Sequence, residues 1–126
     1  ASATGIVRLA KRRLAKCADA TALREIADLT AKDVLDQAKG GDAMAQSIVE
    51  ELGKILGMGL ANIACVVNPE IIVIGGGVSK AGQVLIDVIQ KNFVENCFHA
   101  CKNTKFALAS LGNDAGMYGC VQLILE

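Results

Sequence analysis

Ile71-Ile-Val-Ile-Gly-Gly-Gly-Val-Ser-Lys-Ala-Gly82 is the stretch that decides the fold of this 126-residue chain. Four β-branched residues run straight into three glycines, and the polar Ser79 then opens a helical pattern. Such a run predicts a fully buried parallel strand, a tight turn and a helix N-terminus. Glycines let the backbone approach a ligand closely, and the free amides of a helix start attract anions such as phosphates. The rest of the chain is read by how it builds a platform around that turn.

Immediately upstream, residues 43–67 read as one long helix without proline, stopped by Asn68-Pro69 because the residue before proline avoids helical geometry. Gly53, Gly57 and Ala61 recur every four residues on one face of it. Each interior glycine costs a helix about 1 kcal/mol relative to alanine, so the stripe predicts close approach to another backbone, taken to be the sheet. Downstream, a helix over 80–97 places Ala81, Val84, Leu85, Val88, Ile89 and Phe93 inward. A second strand follows at 105–109, and Gly112-Asn113-Asp114 opens a last helix over 115–125. Strand, helix, strand in this order implies parallel strands joined by a right-handed crossover.

Toward the N-terminus, Ser2 or Thr4 caps a helix running to about residue 18, with Ile6, Leu9, Ala10, Leu14 and Cys17 at helical spacing. Arg8, Lys11, Arg12, Arg13 and Lys16 form its basic, solvated face. Residues 21–29 suggest a short helix. Thr30 followed by Asp33 marks the start of another over 31–39, which Gly40-Gly41 ends before Asp42 caps the long helix. The outcome is an α/β fold of two parallel strands with five to six helices. Two parallel strands make a poor sheet on their own. The missing strands are expected upstream of Ala1, which makes residues 1–126 a single partial domain, a piece of a longer protein.

Net charge is zero, from 13 basic and 13 acidic residues, which removes the footprint of a nucleic-acid binder. Aromatic residues are 3% against 52% hydrophobic, the make-up of a helix-rich core, not of a base-stacking surface. The most apolar run, residues 55–67, is too short to span a bilayer. Five cysteines without framework spacing fit a reducing cytoplasm. Cys97-x-His99-x-Cys101 falls short of a tetrahedral metal set and is read as packing at a helix end.

The dinucleotide fingerprint fails because Lys80 stands where the third glycine belongs, and Val78-Ser79-Lys80 has the wrong order for a P-loop. A glycine triplet alone leaves a structural turn and a phosphate or nucleoside site both open.

The motif from Asn68-Pro-Glu to Gly82, together with Leu111-Gly-Asn-Asp-Ala-Gly-Met-Tyr-Gly119, resembles the C-terminal region of the repressor–ORF–kinase (ROK) family, and within it the bacterial glucokinases. Ala1-Ser-Ala-Thr-Gly-Ile-Val-Arg8 resembles the helix that follows that family's zinc motif. The resemblance implies an actin/hexokinase-like (ribonuclease H-like) ATPase domain, with ATP between two lobes and the turn at Gly75, Gly76 and Gly77 against the adenosine side. Val78 and Ser79 are further candidate contacts, Ser79 being readable instead as only a helix cap. Gly112, Asn113 and Asp114 are implied near the same sheet edge, as contacts or as caps. The resemblance further implies Mg²⁺, glucose or a related hexose, a homo-oligomer, and a structural zinc upstream of this chain. The family's phosphate loop, catalytic aspartate and zinc motif are missing from these residues, so no catalytic residue is assigned and the chain alone is expected to be inactive. A sugar-sensing domain of a repressor in the same family is the alternative, and a generic α/β interaction domain is a third reading.

Overall fold

The computed structural model describes residues 2–76, 82–110 and 114–125, and side-chain oxygens open its first three α-helices. Ser2 Oγ accepts from the Gly5 amide and starts α1 (Ala3–Lys16). Thr30 and Asp33 accept from each other's backbone amides, a reciprocal cap that starts α2 (Ala31–Lys39). Asp42 Oδ1 accepts from the Ala45 amide at 2.8 Å and starts α3 (Ala43–Val67). The Thr21 hydroxyl donates to the same Asp42 carboxylate, which ties the 17–30 connection to the head of α3.

That connection holds a single 3₁₀ turn, Ala22–Glu25, in place of the helix expected over 21–29. Its buried anchors are Leu23 and Leu29. Six residues apart, they do not share a helical face, and between them Ile26 is extended and residues 27–28 form an exposed turn.

Asn68 ends α3 in the left-handed region (φ 47°), with its amide donating to Ala64 O at 2.7 Å. A left-handed asparagine is a common helix terminator, and the following Pro69 prevents continuation. Two strands follow, β1 (Ile71–Ile74) and β2 (Lys105–Leu108), parallel and in register from Ile71 opposite Lys105 to Ile74 opposite Leu108. Between them lies α4 (Gln83–Asn96), and α5 (Ala115–Leu125) follows β2.

The main core joins α1, α2, α3 and α4 through Ile6, Val34, Ile48, Leu85 and Ile89. A smaller cluster of Ala61, Ala64, Phe93 and Cys101 receives Ile72 and Phe106 from the two strands. Phe93 and Phe106 meet edge to face with centroids 5.1 Å apart, a favoured aromatic geometry.

Three sequence expectations are corrected here. The stripe on α3 faces α4, not the sheet: a Cβ on Gly53 would lie 2.2 Å from Val88 Cγ1, and one on Gly57 would lie 2.8 Å from both Ile89 O and Phe93 N. β1 is not fully buried, because its outer residues Ile71 and Val73 are 49% and 56% exposed. Alternation puts Ile72 on the core side and leaves the other face uncovered. Finally, α4 starts at Gln83 after Gly82 rather than near residue 80, and Ser79, read as a cap, lies outside the described residues. Of the six residues placed inward, Leu85, Ile89 and Phe93 are buried, Val88 is half-buried, Val84 is exposed, and Ala81 lies outside the described residues.

Candidate functional site

Four hydrogen bonds fasten the strands' two ends. At the N-terminal end, Lys105 N donates to Glu70 O at 3.0 Å, and the buried Thr104 hydroxyl donates to Pro69 O at 3.0 Å. Thr104 N in turn donates to Cys101 O at 3.1 Å. At the C-terminal end, Ala109 N donates to Ile74 O at 2.9 Å, so the ladder closes just before Gly75. Ligands of parallel α/β sheets collect at this carboxyl edge, where chains leave the strands for their helices.

The two described glycines of the turn are required for different reasons. A Cβ on Gly75 would stand 3.3 Å from Ala109 Cβ, tighter than ordinary van der Waals contact, so a side chain there would press on the exit of β2. Gly76 has φ +74°, a conformation that costs an L-residue about 1–2 kcal/mol. Among the described residues no atom lies within 4 Å of where its Cβ would be. Beyond the turn, Gly82 (φ +71°) stands at the head of α4, which has no side-chain cap. Gly77, Val78 and Ser79 lie outside the described residues, as do Gly112 and Asn113. Asp114, in the turn that opens α5, is exposed.

The shifted titratable groups serve the scaffold. Partial burial works against charge on Asp42, but the Ala45 amide, the Thr21 hydroxyl and the Ala22 and Met44 amides together hold its carboxyl below the usual range. Thr30, through its hydroxyl and its amide, does the same for Asp33. Hydrogen bonding to Glu51 raises Arg13, the one member of the α1 basic face with an ion pair among the described residues. Burial raises the Cys101 thiol, which points at Ala64 O (3.4 Å) on α3. Cys97 instead bonds Val94 O, and His99 is exposed, so this triplet does not converge on one point. Among the described residues no group of three His, Cys, Asp or Glu side chains is placed to hold a metal ion.

An open cleft of about 520 Å³ lies between Asn68–Ile71 and Ala100–Lys105, at the strands' N-terminal end and so opposite the glycine turn. A glycine turn at this edge suits the close approach of an extended polar ligand such as a nucleotide. The described residues at that edge supply no carboxylate pair for Mg²⁺. Sequence reasoning missed Gly82 as the true head of α4. Its signal was present, a glycine two residues after Lys80, but the polar Ser79 drew the boundary forward.

Comparison with known proteins gives this geometry a family. The ROK family model matches residues 1–126. A glucokinase of Halalkalibacterium halodurans is 42% identical over 123 residues, covering 94% of this chain and 37% of its own length. The crystal structure of a ROK family glucokinase from Streptomyces griseus in complex with glucose and AMPPNP superposes with a TM-score of 0.83 at 29% identity, covering 94% of this chain and 40% of that one. A ROK family transcriptional regulator, a homologue of the E. coli MLC protein, superposes at 0.73 and 25% identity, with 86% and 27% covered. The chain thus spans about two fifths of the relatives' length or less. With five α-helices and two parallel strands among its described residues, it has the helix-rich part of an actin/hexokinase-like fold. It belongs to the ROK family.

Proposed function

We propose that these 126 residues are the nucleotide-binding C-terminal part of an ATP-dependent glucokinase, which phosphorylates glucose to glucose 6-phosphate. The observation that carries this is the turn after β1: Gly75 held against Ala109, and Gly76 in a left-handed conformation with no described atom within 4 Å of its Cβ position. The likeness to a glucokinase at 42% identity supports it, as does the fold shared with a glucokinase that binds AMPPNP and glucose.

Phosphoryl transfer is mostly positioning and charge stabilisation. ATP with Mg²⁺, when bound, supplies the transferable group and neutralises its charge. The work of this chain is to hold the nucleotide: the backbone of Gly75, Gly76 and Gly77 takes the adenosine side, with Val78 and Ser79 beside it. The base that activates the sugar hydroxyl, the phosphate loop and the structural zinc are assigned to the remaining length of the parent. We place that parent in the cytoplasm as a homo-oligomer, where the five free cysteines of this chain stay reduced.

The expected activity is glucose-dependent release of ADP by the full-length protein, with none from the 126-residue chain alone. Absence of release with every common hexose sinks the reading. In the active protein, Gly76→Val raises the KM for ATP about tenfold through backbone strain, with the KM for glucose unchanged. The likeness to a transcriptional regulator favours a second reading, a sugar-sensing repressor domain. That protein would carry a helix-turn-helix upstream and leave DNA on binding sugar, without turning over ATP.

A further inference from the structure

Cys101 closes the 3₁₀ turn His99–Cys101 and is buried in the small cluster with Ala61, Ala64 and Phe93. Its Sγ stands 3.4 Å from Ala64 O and 3.7 Å from Asn68 Oδ1, both at the C-terminal end of α3. Ala64 O belongs to the peptide group that leads into Cys65. A single peptide group therefore separates the Cys101 sulfur from the backbone of Cys65, whose own side chain is exposed. Burial raises the Cys101 thiol, and the neighbouring Cys65 and Cys97 thiols raise it further. A thiol open to solvent with a shielded thiol beside it has the two parts of a redox-sensing pair. Cys97 competes for the same role, but its Sγ is turned back to Val94 O on its own helix.

We propose that Cys65 and Cys101 form a reversible redox-modification site, in which a peroxide oxidises Cys65 and Cys101 resolves it to a disulfide. The Cys65 thiolate attacks one oxygen of hydrogen peroxide and the O–O bond breaks. Cys65 becomes a sulfenic acid, and the other oxygen leaves as water after taking up the thiol's proton. The Cys101 sulfur then attacks the Cys65 sulfur. The S–S bond forms as the S–O bond breaks, and the hydroxyl leaves with the Cys101 proton as a second water. The order follows from exposure: peroxide reaches Cys65 directly, whereas Cys101 is 3% exposed. Bridging takes Cys101 from its contacts with Ala64 and Asn68 and pins the end of α3 to the turn. That turn leads into β2, where Thr104 N donates to Cys101 O and the Thr104 hydroxyl holds Pro69 O. The bridge thus acts at the strands' N-terminal end, opposite the glycine turn, and stands independently of the nucleotide reading. Disulfides of this transient, sensing kind are the ones a reducing compartment tolerates.

The test is non-reducing peptide mapping by mass spectrometry of the full-length protein after brief exposure to hydrogen peroxide, with the remaining thiols alkylated. The expected product joins the peptides carrying Cys65 and Cys101, is two hydrogens lighter than their sum, and is separated by dithiothreitol. Cys101→Ser should leave Cys65 as a sulfenic acid that dimedone captures. Cys65→Ser should leave Cys101 unoxidised, and Cys97→Ser should leave the bridge intact. The map of the unmutated protein decides the matter even if a variant at the buried Cys101 does not fold. A Cys97–Cys101 bridge, a Cys65–Cys65 bridge between copies, or a Cys65 that peroxide leaves as the thiol or oxidises without bridging overturns the proposal.

Discussion

The four-helix half of this molecule and its strand-and-α5 half are both strongly apolar, yet they use that surface in opposite ways. In α1 to α4, Ile6, Val34, Ile48, Leu85, Ile89 and Phe93 are almost wholly buried. In α5, Met117, Tyr118, Val121, Leu123, Ile124 and Leu125 are all more than half exposed, and Ile71 and Val73 line an open face of β1. The difference separates composition from packing: an apolar residue stabilises only where another element covers it, at about 25 cal/mol per Å² removed from water. The helical half covers most of its apolar surface, although α3 leaves Ile55, Ile63, Val66 and Val67 more than half exposed. The other half presents an apolar surface of the kind that marks association, and the candidate site lies at the seam, where β1 leaves for α4.

The largest effect should come from the α3–α4 crossing. A methyl group on Gly57 would meet backbone atoms of Ile89 and Phe93 at 2.8 Å and Asn92 Cβ at 2.6 Å. Those atoms cannot swing aside as a side chain can, so Gly57→Ala should cost about 3 kcal/mol as an overpacking substitution. Gly59 lies on the same helix two residues on, with no described atom within 4 Å of its Cβ position. Gly59→Ala should therefore stabilise by up to about 1 kcal/mol through helix propensity. Urea denaturation of both variants checks the pair, and equal effects would mean that the crossing is looser than its geometry.

A middle-sized effect belongs to Asp42, which caps α3 and accepts from Thr21 and Ala22 across the connection. Asp42→Ala should cost about 1–2 kcal/mol, the usual loss for a helix cap. Its pH dependence has a definite sign. The carboxyl is held below its ordinary value in the folded chain, so its contribution is fully present above the unfolded value, about pH 4. It is lost as pH falls through the depressed folded value. The variant should lose part of the acid-side slope of thermal stability, and an unchanged slope would assign that limb to other carboxylates such as Asp33.

Local signals were legible and long-range ones were not. Thr30 with Asp33, Asp42, and Asn68-Pro69 each set a helix end through atoms three or four residues away, so the bounds of α2 and α3 could be read directly. The glycine stripe of α3 declared a close contact but not its partner, because spacing reports a face and not what lies across it. The apolar residues of β1 need cover on both faces, whereas only the Ile72 side has it. At the site, Gly75 and Gly76 were visible as glycines, but the reason for Gly75 is Ala109, just past the end of β2 and far along the chain.

The smallest effect on stability, and the sharpest test of the comparison, is expected in α5. Leu123 and Ile124 are 77% and 83% exposed, so replacing both with Lys removes little buried area. Each change at an uncovered surface site should stay within about 0.5 kcal/mol, far below the 2–5 kcal/mol typical of truncating a buried leucine. The same pair of changes breaks up an apolar patch, so the 126-residue chain should self-associate less, as read by sedimentation velocity across a concentration series. Near-neutral stability with reduced association confirms that α5 contributes surface and not core. A loss of several kcal/mol would show that α5 folds back onto the helical half in solution, and the contrast between the two halves would then collapse.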